Sequence, residues 1–236
     1  MNKRDMLREG LLEMGLTIPD SRQEKMLAFM DRLVTAPLNL IGPADAEERI
    51  SRHLLDSMAA LCVHTLQPGE RVLDLGSGGG LPGISLAITC PQTNFTLMDS
   101  VEKKTGFLRE TAGAMGLMNI GVWTCRAEEA GQDPARRESM DTVTVRAVAP
   151  LRVLCEYAFP LLKVGGALIA YKGPKADAEL AEARSAIDLL GGAVARIENI
   201  AIPFSDRSTH MVILQKSGPT PQKYPRRVGK PAKNPL

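Results

Sequence analysis

Between residues 70 and 216 the chain alternates short apolar runs with amphipathic stretches, and this alternation restricts the fold more than any single motif does. The runs 70–75, 94–98, 119–123, 141–146 and 164–171 read as strands, and 82–89, 101–116, 150–161 and 176–190 between them carry helical periodicity. Such alternation predicts an α/β fold, a parallel sheet with helices on both faces. Two more β-rich runs, 193–202 and 208–216, flank the turn "PFSDRST" and predict a hairpin that adds an antiparallel strand at the sheet edge.

Ahead of residue 70 the period is helical: Met6, Leu7, Leu11 and Met14, then Met26, Phe29, Met30 and Leu33, then Leu54, Leu55, Met58, Leu61 and Cys62. The chain therefore divides into an N-terminal helical extension (1–66), the α/β domain (67–217) and a tail (218–236). The tail, "GPTPQKYPRRVGKPAKNPL", is rich in proline and cations, holds no acid, and is expected to be extended or disordered. Over the whole chain 29 basic residues nearly balance 27 acidic ones, so a polyanionic partner has to be sought in the distribution of charge. Cys62, Cys90, Cys125 and Cys155 are scattered without a CxxC, and His53, His64 and His210 do not join them at ligand spacing. Neither a disulfide framework nor a metal site is expected. No apolar run approaches the ~20 residues needed to cross a bilayer, and the charged start "MNKRDMLREGLLEMG" does not read as a targeting segment. A cytoplasmic protein that engages no membrane is expected, and nothing in the sequence names a protein partner.

In a sheet of this kind ligands bind beyond the C-terminal strand ends. The first strand-to-helix turn there reads "VLDLGSGGGLPGISLA", Val72 to Ala87. Gly76, Gly78 and Gly80 remove Cβ atoms, so a ligand can press on bare backbone, and Pro82 suits the first helical turn. Gly78, Gly80 and Gly83 also satisfy GxGxxG, the dinucleotide fingerprint, so an NAD-dependent oxidoreductase is the competing reading. Asp74 separates the two. A diphosphate resting there meets its carboxylate as a repulsion, whereas a ligand with an ammonium and a sulfonium is stabilised by it. S-adenosylmethionine is such a ligand. Asp99, ending the second strand in "FTLMDS", suits ribose hydroxyls. In "CRAEEA" after the third strand, Ala127 and Glu128 suit an adenine, one as an apolar flank and the other at its hydrogen-bonding edge.

Methyl transfer is an in-line displacement at carbon, so the acceptor sets what the protein must supply. Exocyclic amines are usually held by an Asn/Asp-Pro-Pro-aromatic turn after the fourth strand. Here that place reads "TVRAVAP", with Arg146 in the position of the acid or amide. Pyrimidine C5 requires a cysteine nucleophile in a Pro-Cys setting that Cys125 and Cys155 lack. Guanine N7 presents an in-plane lone pair, so positioning alone can suffice. The residues permit that acceptor without singling it out.

In order along the chain, "NLIGPADAEERISRHLLDS", "DLGSGGGLPGISLAI", "FTLMDSVEKKTGFL", "VRAVAP", "AYKG" and "KYPRRVGKPAKNPL" resemble the bacterial small-subunit ribosomal RNA guanine-N7 methyltransferase G family, also called the glucose-inhibited division protein B family. The likeness runs from about residue 39 to the C-terminus. It implies a Rossmann-like class I S-adenosylmethionine-dependent methyltransferase acting on 16S rRNA, at the 530-loop guanine (position 527 in the usual rRNA numbering). It further implies that Gly76 and Leu81 border the cofactor, that Ala127 and Glu128 meet its adenosine part, and that Arg146 lies in the site. Together with the reading of the turn, the expected cofactor set is Asp74, Gly76, Ser77, Gly78, Leu81, Asp99, Ala127, Glu128 and Arg146. Members commonly carry Thr and Pro in the places of Ser77 and Gly79, so this turn is slightly more flexible than usual. Arg52, His53, Asp56 and Ser57 match a histidine-bearing segment of the family, and by pattern alone read equally as a capped amphipathic helix.

The implied rRNA partner, free or within the 30S subunit, calls for phosphate contacts. Lys103, Lys104, Lys172, Arg207, Lys223, Arg226, Arg227, Lys230 and Lys233 form the expected basic rim. Tyr171 and Tyr224 are the rings best placed for base stacking, and Arg146 and Lys172 are the candidates for a direct part in catalysis. A non-catalytic rRNA-binding assembly factor is a third reading, supported by the tail.

Overall fold

A computed structural model describes residues 1–206 and 208–236. Seven strands form one sheet in the order β3-β2-β1-β4-β5-β7-β6. Strands β1 (Arg71–Leu75), β2 (Asn94–Asp99), β3 (Ile120–Thr124), β4 (Met140–Arg146) and β5 (Leu162–Lys172) are parallel. Strand β7 (Ser208–Lys216) runs antiparallel between β5 and the edge strand β6 (Gly192–Ala201). Because strand order reverses between β1 and β4, their C-terminal ends flank a crevice, the usual ligand position in open α/β sheets.

Helices α5 (Gly83–Thr89) and α6 (Glu102–Ala114) cover one face, and α7 (Ala127–Gln132), α8 (Leu151–Ala158) and α9 (Ala176–Leu189) cover the other. Ahead of the sheet come α1 (Lys3–Glu13), α2 (Asp20–Thr35), α3 (Ala46–Arg49), a π-helical segment (Ile50–Leu55) and α4 (Asp56–Val63). These pack on the α5/α6 face: Leu7, Met26, Phe29, Leu54 and Met58 share one core with Val72, Ile84, Leu97 and Ile169. The helical extension is thus an added layer on the sheet, anchored by side chains each worth ~1.5–3 kcal/mol when fully buried.

The sheet departs from expectation at the hairpin. It adds two strands, and the later one lies inside, because Met211, Val212, Ile213 and Leu214 are buried whereas Val194 and Arg196 of β6 are exposed. Helix α8 ends at Ala158 in a 3-10 turn, Phe159–Leu161, where Pro160 has no N–H to continue the ladder.

The tail is the larger correction. Residues 218–236 are ordered, fold back over α7 and α8, and close with a short helix, α10 (Lys230–Lys233). Tyr224 is only 6% exposed. Arg137 donates to the carbonyls of Thr220 (2.8 Å), Tyr224 (2.7 Å) and Gly131 (2.9 Å). Arg226 grips the buried Glu156 through Nη2 (2.6 Å), Nε (2.8 Å) and its backbone N–H (2.8 Å). The segment's prolines lack N–H donors and it pairs only part of its own backbone, and Arg137 of the domain takes up carbonyls that it leaves free.

Candidate cofactor and acceptor sites

The β1–α5 turn is tied to β2 by the N–H groups of Gly76 and Ser77, which donate to the Met98 carbonyl (2.8 and 2.9 Å). Asp74 lies beneath this turn, 1% exposed. Its Oδ2 accepts the Gly83 N–H (3.1 Å) and its Oδ1 accepts the Thr144 hydroxyl (3.3 Å). A Cβ on Gly83 would stand 2.6 Å from that same Oδ2, so glycine is what lets α5 start against the carboxylate. In place of the direct ligand contact expected of it, Asp74 braces the turn from below.

Burial raises Asp74 from its ordinary 3.8 to about 6, with Ser77, Gly83, Arg146 and Thr144 opposing. A carboxyl that holds its proton more tightly when folded stabilises the fold at low pH and loses that contribution as pH rises through the folded value. Wild type is therefore expected to lose stability relative to Asp74→Asn between about pH 4 and pH 6. Paired urea melts across that range check it, and a constant difference would contradict it.

Asp99 closes β2, 8% exposed. Its Oδ2 accepts the Gly78 N–H (3.0 Å) and its Oδ1 the Val101 N–H (2.9 Å), with Lys104 Nζ at 3.8 Å. A carboxylate has about four acceptor sites, so two remain for ribose hydroxyls. A Cβ on Gly78 would meet nothing nearer than 3.9 Å, so this backbone faces open space. At the start of α7 the Glu128 carboxylate accepts the Gly229 N–H (2.9 Å), which ties the side chain to the C-terminal segment. Leu81 is buried within the turn. Bare backbone, an acid at the β2 tip and the first residues of α7 form a donor set that fits S-adenosylmethionine.

The comparisons agree. The family model for rRNA small subunit methyltransferase G matches residues 22–209. The chain belongs to that family. A relative of that name from Pelotomaculum thermopropionicum is 40% identical over 235 residues, 98% of each chain. One from Deinococcus radiodurans is 40% identical over 99% of this chain and 92% of its own. Among solved structures, a SAM-dependent O-methyltransferase from Thermotoga maritima superposes with a TM-score of 0.53 over 82% of this chain and 72% of its own, at 14% identity. That likeness shows the class I methyltransferase fold. This family member is an enzyme whose methyl donor is S-adenosylmethionine, which displaces the oxidoreductase and non-catalytic readings. Among the described residues no helix is long and apolar enough to cross a membrane.

Beyond the ends of β4 and β5 the enzyme has a cavity of about 1230 Å³, lined by Arg52, His53, Asp56, Arg146, Lys172 and Thr209 among others. Arg146 Nη1 donates to Asp56 Oδ2 (2.7 Å), joining sheet to helical extension. Asp56 Oδ1 also accepts the Thr209 hydroxyl. His53 Nε2 is buried without a partner. Burial, then the nearby Arg146, lowers the imidazole to about 4, so it is neutral at physiological pH. Lys172 has a different role from the one expected. Its ammonium is committed to Glu179 Oε2 (2.7 Å) and the Ala149 carbonyl (2.8 Å), where it pins the β4–α8 loop. In that loop Ala147 has φ +55, a left-handed strain typical of functional loops, and Val148 leans on Gly76.

Other expectations change too. Tyr171 is buried and donates its hydroxyl to the Ser57 carbonyl (2.7 Å), so neither it nor Tyr224 offers a face for stacking. Arg226 leaves the phosphate set because Glu156 holds it. Lys103, Lys223, Arg227 and Lys233 are exposed, and Lys104 and Lys230 are partly so, whereas Arg207 lies outside the described residues. Cys155 is fully buried and pushed up to about 12 by that burial, which suits a core thiol and no nucleophile. Sequence reasoning missed Thr144, Glu156 and Glu179. No local pattern marks them, because their partners lie 70, 70 and 7 residues away.

Proposed function

We propose that the enzyme methylates guanine N7 in 16S rRNA, at the 530-loop guanine. The observation that carries this reading is a link through Val148: it lines the large cleft beyond β4 and β5, where Arg52, Asp56 and Arg146 gather, and it packs against Gly76 of the bare β1–α5 turn. Bound S-adenosylmethionine supplies an electrophilic methyl carbon on sulfur. The backbone of Gly76, Ser77 and Gly78, with Asp99, Leu81, Ala127 and the Glu128 main chain, would hold it. Asp74 supports the turn from beneath. In the cleft, Asp56 offers a carboxylate to the donor edge of an extruded guanine, and Arg146 offers guanidinium donors to its acceptor edge. The N7 lone pair needs no proton removed, so orientation and electrostatics are what the chain must provide.

The test is to incubate the enzyme with methyl-labelled donor and unmethylated 30S subunits or naked 16S rRNA, then map N7-methylguanine by base-specific strand cleavage. Label at that one guanine is expected; label on an exocyclic amine would overturn the acceptor. Replacing Lys223, Arg227, Lys230 and Lys233 together with Gln is expected to weaken RNA binding and flatten its salt dependence by about 0.7–0.9 in slope for each phosphate no longer neutralised. Donor affinity should not move. A salt slope equal to wild type would remove the C-terminal segment from the RNA surface.

A further inference from the structure

The C-terminal segment touches the proposed cofactor site at one place, α7, and its grip there is specific. The Gly229 N–H occupies Glu128 Oε1 (2.9 Å), at the second residue of the helix. Gln132 Nε2, at its last residue, donates to the Pro225 carbonyl (2.5 Å). Between them Gly131 leaves a bare spot into which the Pro225 ring seats: a Cβ there would stand 2.8 Å from Pro225 Cγ and 2.9 Å from Cδ. Arg226 then anchors the segment on the fully buried Glu156 of α8. A six-residue helix has little stability of its own, so its position is set by what grips it.

We infer that residues 219–234 act as a clamp that positions α7, making methyl-donor affinity depend on the C-terminal segment. The inference rests on the reading that Ala127 and Glu128 meet the adenosine. Arg226, Gly229 and Gly131 are positioning residues in this account. The cations Lys230 and Lys233 play no part in it, which separates the clamp from any RNA role of the same segment.

Two variants and one measurement on the wild type test it. Gly131→Ala favours helix intrinsically, so α7 persists while the methyl, 2.8 Å from Pro225 Cγ and less tightly 3.1 Å from Pro160 Cβ, pushes Pro225 off its seat. A chain ending at Val228 removes the Gly229 donor and keeps the Arg226 anchor. Both are expected to bind S-adenosylhomocysteine about ten-fold more weakly, a size usual for coupling between sites. The Lys230→Gln, Lys233→Gln double variant should bind it as wild type does. By reciprocity, S-adenosylhomocysteine bound to the wild-type protein should slow amide exchange at residues 226–232 as well as in α7. Unchanged affinity in Gly131→Ala, or unchanged exchange at 226–232, would overturn the clamp. Wild-type protein that binds S-adenosylhomocysteine without any slowing of exchange in α7 would instead overturn the adenosine reading beneath it.

Discussion

Gly76→Val is expected to abolish measurable binding of S-adenosylhomocysteine, and methyl transfer with it. Gly76 has φ +74, where a β-branched residue is strained by ~1–3 kcal/mol. Its new Cβ would stand 2.5 Å from Val148 Cγ2. Relief requires displacing the β4–α8 loop, which Lys172 holds through the Ala149 carbonyl, at an overpacking cost of ~1–3 kcal/mol. Those costs weaken the fold; affinity falls because the displaced turn no longer presents bare backbone to the donor, and a loss of about 100-fold or more is expected, at ~1.4 kcal/mol for each factor of ten. Calorimetric titration measures it, with a melting curve to confirm the fold. A folded variant with wild-type affinity would show that this turn does not hold the methyl donor.

The second large effect concerns stability. Glu156 is a carboxylate fully enclosed by the domain, and Arg226 is its ion-pair partner. Arg226→Ala leaves that charge buried and unpaired, a loss of ~3–5 kcal/mol. The urea midpoint should fall accordingly at neutral pH. Replacing both members together with methionine should recover most of the loss, since the desolvation cost disappears with the charge. A single variant as stable as wild type would mean that the C-terminal segment is not docked through this pair.

Much of the sheet was legible because parallel strands buried on both faces must be continuous apolar runs, and the five between residues 70 and 172 stand out as such. The acid at the β2 tip was legible for a related reason: Asp99 follows Phe95–Met98 abruptly, so its side chain had to lie at the crevice. Asp74 was read on the right strand but the wrong side of the turn. Sequence places it at the tip, and only the packing of α5 through Gly83 shows that its carboxylate points beneath the backbone. Lys172 and Arg226 failed in another way. A cation in a loop or tail looks free until an acid distant in sequence is found against it, and Glu156 lies 70 residues from Arg226. Tyr171 was mistaken for a surface ring because period 2 in β5 does not say which face the N-terminal helices cover. Helix α7 was missed outright, being too short to show a period.

At the centre stands the proposal that the turn between Asp74 and Gly83 holds S-adenosylmethionine and its thioether product S-adenosylhomocysteine, and not a dinucleotide. Titrating the wild-type protein in parallel with S-adenosylhomocysteine and with NADH tests it most directly. One saturating site for the first and no heat from the second is the predicted result. Saturable binding of NADH, with none of S-adenosylhomocysteine, would contradict it.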